Sequence, residues 1–146
     1  MNTKTESTTS VETDDQISIR VLWAQRGYIL FASLFVLGIL GQVFIAGMAV
    51  FVDPAHWNLH ASFVHYIQLL AIIMLVLAIL GGLSRWLMLS PIVLFLLIVL
   101  QYATALGFSG SVVAALHPVN ALVIFGLASL TTYKAWRTTA DSPPAS

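Results

Sequence analysis

Leu69-Leu70-Ala71-Ile72-Ile73-Met74-Leu75-Val76-Leu77-Ala78-Ile79-Leu80 runs for twelve positions without a polar side chain. It lies inside a longer apolar stretch from about Ser62 to Leu83, close to the ~20 residues that a helix needs to cross a bilayer core. Three more such stretches flank it, at about Tyr28 to Phe51, Trp86 to Gly107 and Val112 to Trp136. Helices satisfy their own backbone groups in hydrocarbon, whereas four open strands would leave edges unpaired. The connections are short, which makes neighbouring helices antiparallel. The fold class expected is therefore all-α, an integral membrane up-down-up-down four-helix bundle over residues 28–137.

Composition agrees. Of 146 residues, 59% are hydrophobic and 8% charged, against about 25% charged in soluble domains, and the mean hydropathy is +0.93. Six basic and six acidic residues cancel, so the charge balance points to lipid and not to nucleic acid as a partner. The absence of cysteine excludes disulfides, thiolate metal sites, iron–sulfur ligation and covalent c-type haem attachment. No internal sequence repeat stands out. Residues 1–27 are polar and rich in Ser, Thr and acids, and are expected to form a disordered tail that leads into an interfacial segment from Val21 to Arg26. Residues 138–146, with Pro143-Pro144, are expected to form a second disordered tail.

Orientation follows from the cations. Lys4, Arg20 and Arg26 precede the first helix, Arg85 separates the second from the third, and Lys134 and Arg137 close the fourth. All six fall on one side, which the positive-inside rule makes cytoplasmic, with both termini inside. The chain is thus expected to be a multi-pass protein of the cytoplasmic membrane. Trp23, Tyr28, Trp86, Tyr133 and Trp136 at that end, and Trp57 at the other, fit interfacial anchoring.

The four histidines fall on the opposite side. His56, His60 and His65 lie in or just after the loop from Val52 to Ala61, and His117 lies near the start of the fourth helix. Asp53-Pro54 reads as an N-cap with proline at the first helical position, so a short interfacial helix is expected to carry His56 and His60. His65 would then open the membrane-crossing part. Gln42, Gln68, Gln101 and Asn120 come to a similar level, roughly 9–14 Å below the outer edge by helical rise. Polar groups from four helices at one depth point to one interior site.

Two neutral imidazoles from different helices of a bundle are the usual axial pair for a b-type haem. On this reading His65 and His117 are the iron ligands. His60 is the alternative partner, since the start of helix 2 is the least certain boundary. His60 and His65 stand ~140° apart on a continuous helix, at about 100° per residue, and could not both face one ring. Gln68, Gln101 and Asn120 are candidate donors around the imidazoles, and Gln42 reads as an ordinary interhelical hydrogen bond. Pro118 would open the ladder of helix 4 and re-aim His117. Gly41, Ala46, Gly47, Ala71, Ala103 and Gly107 offer space for a ring. His56 and His60 are four apart on one face and could bind zinc, but only Asp53 stands beside them. His56, His60, Trp57 and Tyr66 are the donors available to haem propionates, because the outer loops carry no Lys or Arg.

The run Leu116-His117-Pro118-Val119-Asn120-Ala121-Leu122, with Leu100-Gln101 before it, resembles the last two helices of a haem A synthase half-bundle. Phe63-Val64-His65-Tyr66, followed by an apolar helix, resembles that family's second helix. The likeness covers most of one four-helix half. It implies that His65 and His117 occupy the haem-ligating places. The catalytic glutamate of that family falls at Ser62, and its following arginine at Tyr66, so synthase activity is not expected. Leu116 to Ala121, together with Gly41-Gln42-Val43-Phe44, more closely resembles a group of small uncharacterised four-helix prokaryotic membrane proteins. The function expected is a cytochrome-like carrier of one haem b for one-electron transfer, working with a redox partner, a larger membrane complex or a second copy of itself. The alternative is a cofactor-free structural or accessory subunit.

Overall fold

A computed structural model describes the backbone of residues 3–140 and the side chains of residues 19–139. It contains helix α1 (Thr3–Phe51), α2 (His56–Leu80), α3 (Arg85–Tyr102) extended by a π-helical turn (Ala103–Gly107), a 3-10 turn (Val112–Ala115) and α4 (Leu116–Ala140). Four segments are long and apolar enough to cross a membrane: Ile19–Phe51, His56–Leu80, Arg85–Gly107 and Val112–Thr139. There is no strand among the described residues, and the expected four-helix architecture is the one observed.

The helices pack in cyclic order, α1 on α2, α2 on α3, α3 on α4 and α4 on α1. Among the described residues the two diagonal pairs make no backbone approach, so side chains alone cross the middle. Tyr28, Phe35, Ile67, Met74, Leu87, Leu94, Ile98 and Ile124 fill it and are fully buried. Leu37, Phe44, Ile79, Leu96 and Leu122 face outward and are exposed, as expected where the surrounding medium is itself apolar. At the end marked by Arg26, Arg85 and Arg137, the Tyr28 hydroxyl donates to Leu87 O at 2.8 Å and lies 3.2 Å from Ser90 Oγ. That contact ties α1 to α3 across the diagonal. Gln25 Nε2 donates to Gly81 O at 2.9 Å and holds α1 against the α2–α3 turn.

Small residues set the α1–α2 distance. A Cβ added at Gly38 would stand 3.1 Å from Ile67 Cγ1, and one at Gly41 would stand 3.3 Å from Phe63 Cε1. Gly41 is thus a packing position closed by Phe63, and not free space for a ring. Gly47 and Gly107 meet nothing within 4 Å.

Helix limits differ from expectation at two places that matter. The α1 backbone is helical from Thr3, through the stretch read from sequence as a tail and interfacial segment. Beyond Ala140, the expected C-terminal tail lies outside the described residues. More consequentially, α2 starts at His56 with Ala55 as its cap, and there is no separate interfacial helix. Asp53 does not cap α2 directly: its Oδ1 accepts the Ala55 N–H at 2.8 Å, and its backbone carbonyl accepts the His56 N–H at 3.0 Å. His60 therefore belongs to the second turn of the membrane helix itself.

Candidate functional site

At the end of the bundle away from the cations, His60 of α2 and His117 of α4 reach inward from opposite corners. Their ring centres are 6.3 Å apart, with ring planes inclined at 53°. This is the diagonal bridge at this end, the counterpart of Tyr28 at the other. Both imidazoles are half-buried, and the Trp57 ring stands edge-on to His60 at 5.5 Å.

Each ring is held by the neighbouring helix. His60 Nδ1 lies 3.2 Å from Gln42 O of α1, and His117 Nδ1 lies 3.1 Å from Gln101 O of α3. A carbonyl oxygen only accepts, so Nδ1 carries the proton in both rings. In the neutral imidazole Nε2 then keeps its lone pair. This arrangement orients a histidine and raises its basicity as a ligand. The chain makes it twice, once per helical hairpin, with the histidine 18 residues after the glutamine in the first and 16 in the second.

The two copies are finished differently. In the first hairpin Gln42 returns a bond from its own side chain, Nε2 to His60 O at 3.1 Å. Because His60 O is an acceptor, that bond fixes the amide orientation. Gln42 Oε1 is left buried with no partner. In the second hairpin the buried Asn120 donates through Nδ2 to Leu97 O and to Gln101 Oε1, each at 2.8 Å. Thr104 adds its hydroxyl to Gln101 O at 3.1 Å. Gln101 is the penultimate residue of α3 before the π-helical turn, where the pairing of backbone carbonyls shifts by one residue. There its carbonyl receives a hydroxyl and an imidazole from outside the helical ladder.

The structure therefore brings together His60, His117, Gln101 and Asn120 of the residues singled out from sequence, and adds Gln42. It does not bring in His65. That residue is exposed, its Nδ1 turns back to Ser62 O at 3.2 Å, and its ring lies 6.0 Å from Tyr102 on the α2–α3 face. Gln68 goes with it and accepts the Tyr102 hydroxyl at 3.3 Å. His56 stays at the helix start with Nδ1 2.9 Å from Asp53 O. The expected partner of His117 is thus replaced by the alternative, His60, because the helix begins at His56 and its phase turns His60 inward and His65 outward. Gln42 had a sequence signal, a buried-depth amide on helix 1. Trp57 reads from sequence as an interfacial anchor and a candidate propionate donor, whereas Tyr102 and Thr104 have no signal beyond residue type.

No group of three or more His, Cys, Asp or Glu side chains is assembled among the described residues. A zinc site at His56 and His60 consequently lacks ligands, since structural zinc takes four and catalytic zinc three from protein. A group that brings its own equatorial nitrogens needs only two.

The chain is similar to a family of unknown function, DUF6220, whose model matches residues 42–107. The matched span takes in Gln42, His60, His65 and Gln101. It stops before Leu116, so the Leu116 to Ala121 run lies outside it. No curated protein and no solved structure matches the chain.

Proposed function

We propose that this multi-pass four-helix membrane protein holds one b-type haem between His60 and His117 and works as a one-electron carrier in the cytoplasmic membrane, with both termini inside. The observation that carries the reading is the facing imidazole pair, each ring with Nδ1 committed to a carbonyl of the adjacent helix and Nε2 left as the ligating atom. The spacing fits. With ring centres 6.3 Å apart and planes inclined at 53°, the two imidazoles are near enough that one metal ion could be held between them.

His60 and His117 would hold the iron, and Gln42 O and Gln101 O keep both rings in the ligating tautomer. A haem held there by two histidines would supply one-electron transfer chemistry. Trp57 packs edge-on against the His60 ring. Gln42 Oε1, buried and unpaired, is an acceptor for a donor within the site, a role its bond to His60 O leaves open. With the cations at the far end, His56, Trp57 and Tyr66 are the donors available to propionates.

A second reading, a cofactor-free accessory subunit, is favoured by one observation. Gln42 with His60, and Gln101 with Asn120 and His117, already clamp neighbouring helices together and specify packing without a ligand. The reduced-minus-oxidised visible spectrum of the protein purified in mild detergent separates the two. A sharp low-spin haem signal supports the first reading, and its absence after haem supplementation sinks it.

A further inference from the structure

We propose that the cleft between α3 and α4 at the cationic end binds the phosphate of an anionic glycerophospholipid. The cleft is an open groove of about 450 Å³, lined by Ser84 just before α3, by Trp86 and Leu87 in its first turn, and by Tyr133, Lys134, Arg137 and Thr138 near the end of α4. That volume lies within the ~300–1,000 Å³ of ordinary small-molecule clefts. Lys134 Nζ stands 4.0 Å from the centre of the Trp86 ring. The π face steadies the ammonium without consuming its three N–H donors, which remain to meet phosphate oxygens.

Among the residues whose side chains are described, the charges lining the cleft are of one sign. Asp53 is the only acid among the residues whose side chains are described, and it stands at the opposite end, before α2. No carboxylate of that set therefore competes for Lys134. The walls also favour a lipid over a free anion. One helical turn from the cleft toward the bundle's middle, Leu130 and Leu89 are exposed, so the polar pocket continues into an apolar outer wall on which acyl chains can lie. Basic pockets between membrane helices are recognised headgroup sites. This inference does not depend on the imidazole pair at the other end.

The test uses the full chain in detergent, titrated with phosphatidylglycerol and, separately, with phosphatidylcholine, with bound lipid counted by native mass spectrometry. Phosphatidylglycerol should be retained severalfold over phosphatidylcholine. Lys134→Gln should weaken that retention about fivefold, and Lys134→Arg should keep most of it. Arg26→Gln changes a cation at the same end but outside the cleft, and should leave retention unchanged. Circular dichroism checks that each variant keeps its helices, and the wild-type lipid preference stands whether or not a variant folds. Equal retention of both lipids, an equal loss in Arg26→Gln, or displacement of the lipid by excess inorganic phosphate overturns the proposal.

Discussion

The two helical hairpins build the same device from different surroundings. In each, a glutamine carbonyl on the first helix receives Nδ1 of a histidine on the second. The α3–α4 copy is more heavily bonded: Asn120 bridges Leu97 O and Gln101 Oε1, and the Thr104 hydroxyl is shared between Leu100 O and Gln101 O. The α1–α2 copy keeps Gln42 Oε1 buried and unpaired. A buried polar atom without a partner carries a desolvation cost, so around the histidine the first hairpin still has an acceptor to satisfy, whereas in the second the one buried atom without a partner, Thr131 Oγ1, lies further along α4 and away from His117. The difference teaches that one tautomer lock serves both rings, while the response to mutation and to a ligand should be lopsided.

The largest expected effect tests the pairing itself. His60→Ala and His117→Ala should each abolish the low-spin haem spectrum, whereas His65→Ala should leave it nearly intact. Loss of the signal in His65→Ala with retention in His60→Ala would reverse the assignment.

Next in size is Asn120→Ala, which strips the buried amide from Leu97 O and Gln101 Oε1 together. Leaving buried acceptors unsatisfied costs about 1–3 kcal/mol, and thermal unfolding in detergent should fall accordingly. Gln42→Met should cost less, near the ~0.6 kcal/mol typical of interhelical bonds in membranes, because it removes the orphan oxygen along with the single bond. If Gln42→Met proves as damaging as Asn120→Ala, the two hairpins are equally satisfied and the asymmetry falls.

The smallest effect concerns the α1–α2 seam that carries Gln42. Gly38→Ala must push Ile67 aside, from a Cγ1 contact of 3.1 Å, and should lower the unfolding temperature measurably. Gly47→Ala meets open space and should be close to neutral. Equal responses would mean that the seam is looser than its packing indicates.

Much of this was legible in the residues. Four apolar runs gave four helices, because hydrocarbon admits no other way to satisfy the backbone of such segments. The level of Gln42, Gln68, Gln101, Asn120 and His117 followed from helical rise alone; Gln101, Asn120 and His117 do meet, Gln42 joins through His60, and Gln68 bonds Tyr102 instead. The choice between His60 and His65 was not legible. They differ by five residues, or ~140° of helical phase, and both carry a histidine signal. Asp53-Pro54 signals that a helix starts, but not whether that helix is a short interfacial one or the membrane helix itself. Gln42 was undervalued for a related reason: its part is played by its backbone carbonyl, which every residue type possesses.

By itself, then, the sequence determined the medium, the number of crossings, the segregation of cations from histidines and the depth of the polar groups, since these depend on composition and on distance along a helix. Only the tertiary structure decided which imidazole faces His117, which amide is more heavily bonded and where Lys134 meets Trp86. Those depend on the angle at which each helix presents its side chains to its neighbours, and rotation about a helix axis is set by packing between helices, not by any one of them.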